Sequence, residues 1–237
     1  MKKSISIVIL AHNEVEIIET VVTEFHSKII EKLPGSELII AEDGSTDGTK
    51  EILSNLQKRL NSLRWVEGKE KLGYVNAFKE AMKLPKNDII LYCDCSGKHD
   101  PNDFWGMYEI IDGCDMVIGY KVNRADPLYR VVMGKVFNFF VRLYFDVPFI
   151  DIDCPLRIFK KDAFNIVSKK NWIEKNLINF EITLRFYFSG YIVKQVPVKH
   201  FPRKFGKSRG LPLNKIPSVI INVLQNFPKL KKDLKGS

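Results

Sequence analysis

Apolar residues along this chain alternate between short unbroken runs and stretches with helical spacing. Residues 4–10 (SISIVIL) read as a buried strand. From Asn13 and Glu14 onward, Val15, Ile18, Val22, Phe25 and Ile29 recur on one helix face. Pro34-Gly35 makes a turn, and residues 37–41 a second short strand. The run DGSTDGT at 43–49 is turn chemistry, with Thr46 and Asp47 as candidate caps for a helix over 48–61. A third strand follows at 64–67 and a helix at 72–83. Residues 88–93 (DIILYC) are too apolar for a half-exposed strand, so helices should cover both faces of the sheet. Pro101 opens a helix to about residue 111, and 116–119 is another strand.

Strand and helix thus alternate from residue 4 to about 119, which predicts an α/β fold with a parallel, doubly wound sheet. Ligands of such sheets sit outside the carboxyl ends of the strands. The polar segments AHNE (11–14), EDGS (42–45) and CDCSGKHD (93–100) each follow a predicted strand, so they should converge on one edge. Beyond residue 119 the texture changes. Residues 127–149 form an aromatic-rich amphipathic stretch interrupted by Arg130, Lys135 and Arg142, an interfacial or core helix rather than a spanning one. Residues 156–159, 176–188 and 191–198 suggest strand, helix and strand. The apolar run 216–227 spans only about 18 Å as a helix, too short to cross a bilayer.

The length of 237 residues favours one domain, expected over 1–210, with a basic amphipathic tail at 211–237. With 45% hydrophobic and 27% charged residues, the chain as a whole is neither disordered nor of low complexity. The apolar opening is too short for a secretory leader and reads as a strand. Cys93, Cys95, Cys114 and Cys154 make no disulfide framework and no complete zinc site, which points to a reducing compartment. Charge adds more. Residues 199–237 carry ten Lys or Arg and one acid, so the whole net charge of +9 resides there. Such a segment acts on phosphates, of nucleic acid or of a membrane surface, or serves as a solubilising tail; no nucleic-acid-binding signature accompanies it, so nucleic acid is not the expected partner.

No P-loop, GxGxxG or GxSxG occurs, and His12, His26, His99 and His200 are scattered. Glu14, Glu42, Asp43 and Asp94 lie at the ends of three predicted strands. Carboxylates there can bind ribose hydroxyls or a base, or hold a divalent cation on a diphosphate.

Several segments carry a resemblance. SIVILAHNE resembles the opening strand and loop of family 2 glycosyltransferases, AEDGSTDGT their Asp-Asp-Gly-Ser-x-Asp-Gly-Thr segment, and KLGYVNAFKEAM (71–82) their Gly-Leu-Gly helix start. CDCSGKHDP (93–101) resembles the Asp-x-Asp region of the dolichol- and polyprenol-phosphate mannose synthase branch. Residues 126–164 and 179–208 are similar to the second half of that branch. The resemblance implies a GT-A fold, a Rossmann-like nucleotide-diphospho-sugar transferase architecture. It implies transfer of mannose or glucose from GDP-mannose or UDP-glucose to dolichyl or polyprenyl phosphate, with Mg²⁺ or Mn²⁺. The expected location is the cytoplasmic face of a membrane, held peripherally, with a small membrane-anchoring subunit as a further partner.

By the same resemblance, Ala11, Asn13, Glu14, Glu42 and Asp43 line the nucleoside pocket, Lys71 and Gly73 approach the diphosphate, and Asp94, Cys95 and Ser96 complete the donor site. Arg124, Arg130 and Arg157 join Asp94 and Lys98 in catalysis, and Arg130, Arg203, Lys207 and Ser208 meet the acceptor phosphate. Asp151, Asp153 and Glu181 are expected to orient these cations or the sugar. The chain departs from the pattern at the metal position, which is Asp94 with Ser96 rather than a second acid, followed by Lys98. A lysine there can assist or replace a metal on the diphosphate. Pro155 also stands where the branch has glycine. An acceptor phosphate is already an anionic nucleophile and needs little general-base help. A hydroxyl acceptor would need a base, for which Asp151, Asp153 or His99 are candidates. A catalytically silent nucleotide-sugar binder is the remaining alternative.

Overall fold

The computed structural model describes residues 2–169, 172–173, 177–203 and 216–235. Seven strands form one sheet: β1 (Ile5–Ala11), β2 (Glu37–Glu42), β3 (Leu63–Val66), β4 (Ile89–Asp94), β5 (Met116–Val122), β6 (Arg157–Lys160) and β7 (Val193–Lys199), in the order β3-β2-β1-β4-β6-β5-β7. All pairings are parallel except those of β6, which runs antiparallel to β4 and β5. The helices are α1 (Ile18–Lys28), α2 (Thr49–Arg59), α3 (Tyr74–Ala81), α4 (Asp103–Ile110), α5 (Leu128–Phe145), α6 (Lys161–Val167), α7 (Ile178–Phe188) and α8 (Ile216–Lys235). Every residue of β1 is buried, as expected of a strand covered on both faces.

Register fixes where the strands end. Ala11 pairs with Glu42 and Leu10 with Asp94, so the segments after β1, β2 and β4 leave the sheet at one edge. Val122 pairs with Lys199, which brings the segments after β5 and β7 to that same edge. Because β6 is antiparallel, its first residue, Arg157, lies there too, opposite Tyr92 and Ile118.

Several boundaries differ from expectation for local reasons. The first helix starts at Ile18, not near Asn13. Asn13 has φ 52°, and the N–H groups of Asn13, Glu14 and Val15 go to Ser45, Thr49 and Asp47 instead of starting a helix. The long amphipathic helix stops at Phe145 because Asp146 turns left-handed at φ 56°. Helix α6 was not expected, and α8 continues to Lys235 through Pro228.

The main core fills both faces of the sheet. A second cluster packs Val141 and Phe145 of α5, Phe180 and Leu184 of α7, and Phe227, Leu230 and Leu234 of α8, with Phe149 from the segment after α5. The second half of the basic tail is therefore core as well as charge. The outer face of α5 stays uncovered: Leu128, Val132, Val136, Phe139, Phe140 and Leu143 are exposed, as are Ile220, Ile221 and Leu224 of α8.

Candidate active site

The loops after β1 and β2 are knitted together. The Asn13 N–H donates to Ser45 Oγ at 2.8 Å, and Asn13 Oδ1 accepts the Thr46 N–H at 2.7 Å. His12 Nδ1 lies 2.7 Å from the Asp43 carbonyl. Glu42 and Asp43 are buried and spend their carboxylates on backbone N–H groups. Glu42 accepts from Ser45 and, at 3.1 Å, from Gly68; Asp43 accepts from Leu72 at 2.6 Å and Gly73 at 3.1 Å. These bonds hold the 67–73 loop against the EDGS turn. Gly44 permits the approach: it has φ +63°, and a Cβ there would sit 2.5 Å from the Glu70 carbonyl carbon. Lys71, in the same loop, is exposed. Glu14 and Arg203 form an ion pair, which ties the first loop to the segment after β7.

The loops after β4 and β5 meet at a residue that sequence reasoning missed. The Asp126 carboxylate accepts Lys98 Nζ at 3.1 Å and Arg124 Nη2 at 2.8 Å, and His200 Nε2 lies 3.8 Å away. Burial opposes ionisation of Asp126, but the hydrogen bonds from Arg124 and Lys98 overcome it and hold the carboxyl well below its usual range. His200 is driven down to about 4 by burial, and His99, also buried, likewise to about 4. Asp126 gave little sign of itself in sequence, because an acid before Pro127 reads as the start of a helix.

Ser96 donates its hydroxyl to Asp94 Oδ1 at 2.8 Å and accepts the Lys98 N–H at 3.3 Å. Cys95 is buried, and burial pushes its thiol far up. Among the described residues, no group of three or more His, Cys, Asp or Glu is placed to hold a metal ion. At Asp94 and Ser96 the chain offers one carboxylate and one engaged neutral hydroxyl, with His99 Nε2 4.0 Å from Asp94 Oδ1 and a lysine two residues beyond Ser96. That donor set does not fit the two-carboxylate cation site implied by resemblance.

Other expected residues are placed differently. Arg157 is fully enclosed rather than facing a ligand. It donates to the carbonyls of Cys154 and Asn179 and to Thr183 Oγ1, because a buried guanidinium must satisfy its donors within the protein. Glu181 is also fully buried and binds Arg185, which in turn reaches Asp233 of α8 at 2.9 Å, so it braces helices rather than sugar. Asp151 pairs with Lys121 at 3.1 Å. Asp153 is pushed up to about 6 by burial, against the pull of Lys121 and Arg157. Arg130 sits in the first turn of α5, its Nε donating to the Tyr129 hydroxyl at 3.0 Å. Sequence reasoning also missed a polar chain in which Tyr92 donates its hydroxyl to Tyr74 at 2.7 Å and Asn179 donates to Tyr74 at 3.0 Å. Lys207 and Ser208 lie outside the described residues.

A mostly parallel α/β sheet with charged loops gathered at its carboxyl edge is the frame of enzymes that bind nucleotide-linked groups. The chain belongs to glycosyl transferase family 2, whose model matches residues 6–166. It is 26% identical over 211 residues to the glycosyltransferase AglD of Haloferax volcanii, an alignment covering 84% of this chain and 33% of that one. The chain thus spans about a third of that relative's length. It is 23% identical over 216 residues to polyprenol monophosphomannose synthase of Mycolicibacterium smegmatis, covering 86% of this chain and 79% of that protein. Among solved structures, glucosyl-3-phosphoglycerate synthase from Mycobacterium tuberculosis, in complex with Mn²⁺, UDP and phosphoglyceric acid, matches with a TM-score of 0.69 at 15% identity, over 95% of this chain and 78% of that one. That likeness establishes the GT-A fold expected from the sequence.

Proposed function

We propose that this chain moves a hexose, mannose or glucose, from GDP-mannose or UDP-glucose to polyprenyl or dolichyl phosphate. One observation carries the reading. The cationic cluster at the sheet edge adjoins an uncovered apolar helix face, because α5 begins two residues after Asp126 with the exposed Leu128. A lipid phosphate needs both features, cations for its head and an apolar surface for its tail.

In this reading the loops carrying Ala11, Asn13, Glu14, Glu42, Asp43, Lys71 and Gly73 frame the nucleotide. Asp94, Lys98 and Arg124 face the donor diphosphate, and Arg130 and Arg203 meet the acceptor phosphate. A phosphate oxygen attacks the anomeric carbon as the bond from that carbon to the diphosphate breaks, and the nucleoside diphosphate leaves. The acceptor is already an anion, so the protein's contribution is alignment and charge stabilisation rather than proton removal. A single displacement inverts the anomeric centre, so an α-linked donor gives a β-linked lipid-phosphate sugar. Among the described residues, no helix is long and apolar enough to cross a membrane. The protein would instead rest on the cytoplasmic face through α5 and the basic α8.

Incubation with polyprenyl phosphate and a panel of nucleotide sugars tests the reading. The expected product is a β-linked glycolipid. An α-linked product refutes the mechanism, and sugar transfer to phosphoglycerate in preference to the lipid refutes the acceptor assignment.

A further inference from the structure

We propose that Lys98, held beside Arg124 by the Asp126 carboxylate, supplies to the donor diphosphate the positive charge that a divalent cation would otherwise carry, so that this chain binds nucleoside diphosphate without metal. The inference rests on the nucleotide-sugar reading above and names how that site holds its ligand.

Three observations on the same few residues support it. The Ser96 hydroxyl is already engaged between Asp94 Oδ1, at 2.8 Å, and the Lys98 N–H, at 3.3 Å. It organises a turn and adds no second anionic ligand beside Asp94, whereas hard divalent cations favour several oxygen ligands, carboxylates foremost. Next, the turn that Ser96 closes carries Lys98, and an ammonium in that loop repels a cation seated at Asp94. Finally, Lys98 is not a loose surface lysine. Its side chain is 16% exposed and its Nζ lies 3.1 Å from Asp126, whose other oxygen takes Arg124 at 2.8 Å. One carboxylate thus fixes two cations and neutralises only one of them. The remaining positive charge stands at the carboxyl edge, with an ammonium point charge and a planar guanidinium fork side by side, a pairing suited to the several oxygens of a diphosphate. Arg124 also approaches α5: a Cβ on Gly134 would lie 2.5 Å from its Nη1, so the missing side chain there leaves room for that end of the guanidinium.

The test is calorimetric titration of the full chain with UDP and with GDP, each in EDTA and in Mn²⁺. The wild-type chain should bind one of them with a Kd that changes by less than about twofold between the two conditions, well under the 1.4 kcal/mol of a tenfold change. In EDTA, Lys98→Gln should weaken binding by about tenfold or more, while Lys98→Arg, which keeps the charge, should stay within about threefold. The double variant Ser96→Asp/Lys98→Gln should regain affinity only with Mn²⁺ and should broaden the Mn²⁺ electron paramagnetic resonance signal. Abolition of wild-type binding by EDTA overturns the inference and leaves the nucleotide-sugar reading standing, as does full metal-free affinity in Lys98→Gln. Failure of the wild-type chain to bind either nucleotide in both conditions overturns the nucleotide-sugar reading itself, and the inference with it.

Discussion

Replacing Phe139, Phe140 and Leu143 together with serine should detach the protein from lipid while leaving it folded. These side chains are 60%, 57% and 72% exposed, so the protein interior gains little from them. Burying a whole Phe or Leu side chain is worth roughly 1.5–3 kcal/mol. With more than half of each available, insertion into an interface would contribute about 1 kcal/mol or more apiece. The triple variant should lose about 3–4 kcal/mol, a hundred- to thousandfold fall in partitioning. Flotation with vesicles of phosphatidylcholine and phosphatidylglycerol measures it, with thermal melts as the folding control. Raising the salt from 0.1 to 1 M shortens the screening length from about 10 to 3 Å, which weakens the Lys and Arg contribution and spares the apolar one. Substitution is the informative perturbation here. Deleting residues 211–237 would also strip Phe227, Leu230 and Leu234 from the second core. Equal flotation of wild type and triple variant, with equal melting temperatures, refutes the membrane role of α5.

Phe227 packs against Phe137, Tyr144, Phe145 and Phe180 at ring-centroid distances of 5.0–6.4 Å. Phe227→Ala should therefore cost about 3–5 kcal/mol in urea unfolding, and a loss below about 1 kcal/mol would show that α8 is not part of the core. Asp126 should shape the acid limb of stability. Its carboxyl is held below the unfolded value of about 3.9, so its contribution is complete above that value and is lost as pH falls through the lower folded one. Asp126→Asn should thus lower the melting temperature at pH 7 and reduce the difference between wild type and variant near pH 2. An equal deficit at both pH values would refute the charge account.

The outline of the fold was legible because strands buried on both faces leave little ambiguity in sequence. SISIVIL and DIILYC could not be half-exposed, and the helical spacing between such runs forced parallel crossovers. What escaped was set by contacts distant in sequence. The strand expected at 156–159 is present as β6, but its antiparallel placement between β4 and β5 comes from pairing that its four residues do not reveal. Helix α6 is seven residues long and opens on Lys161 and Asp162, with too few apolar positions to show a period. The start of the first helix was misplaced because Ser45, Thr49 and Asp47 reach across from the second loop to take the N–H groups of residues 13–15.

The site was legible where side chains follow strand ends and illegible where charge is bound up internally. Glu14, Asp43, Asp94 and Lys98 fall at the predicted edge because strand register carries them there. Residue type alone could not distinguish Arg124 from Arg157. Both are arginines beside the same edge, yet one is paired to an anion and partly open, and the other is sealed by two carbonyls and the Thr183 hydroxyl. The enclosed arginine still bears on the site, because two of its partners, Asn179 and Thr183, lie on α7. Phe180 and Leu184 of the same helix pack into the cluster that supports α5. Helix α7 thus fixes the sheet edge and the exposed face of α5 relative to each other. The exposed stripe from Leu128 to Leu143 extends about 22 Å away from the cationic cluster. In the proposed reaction a prenyl chain leaving the phosphate site would follow that stripe, so the spacing between head-group and tail contacts is set by the packing of α7 and not by either contact surface alone.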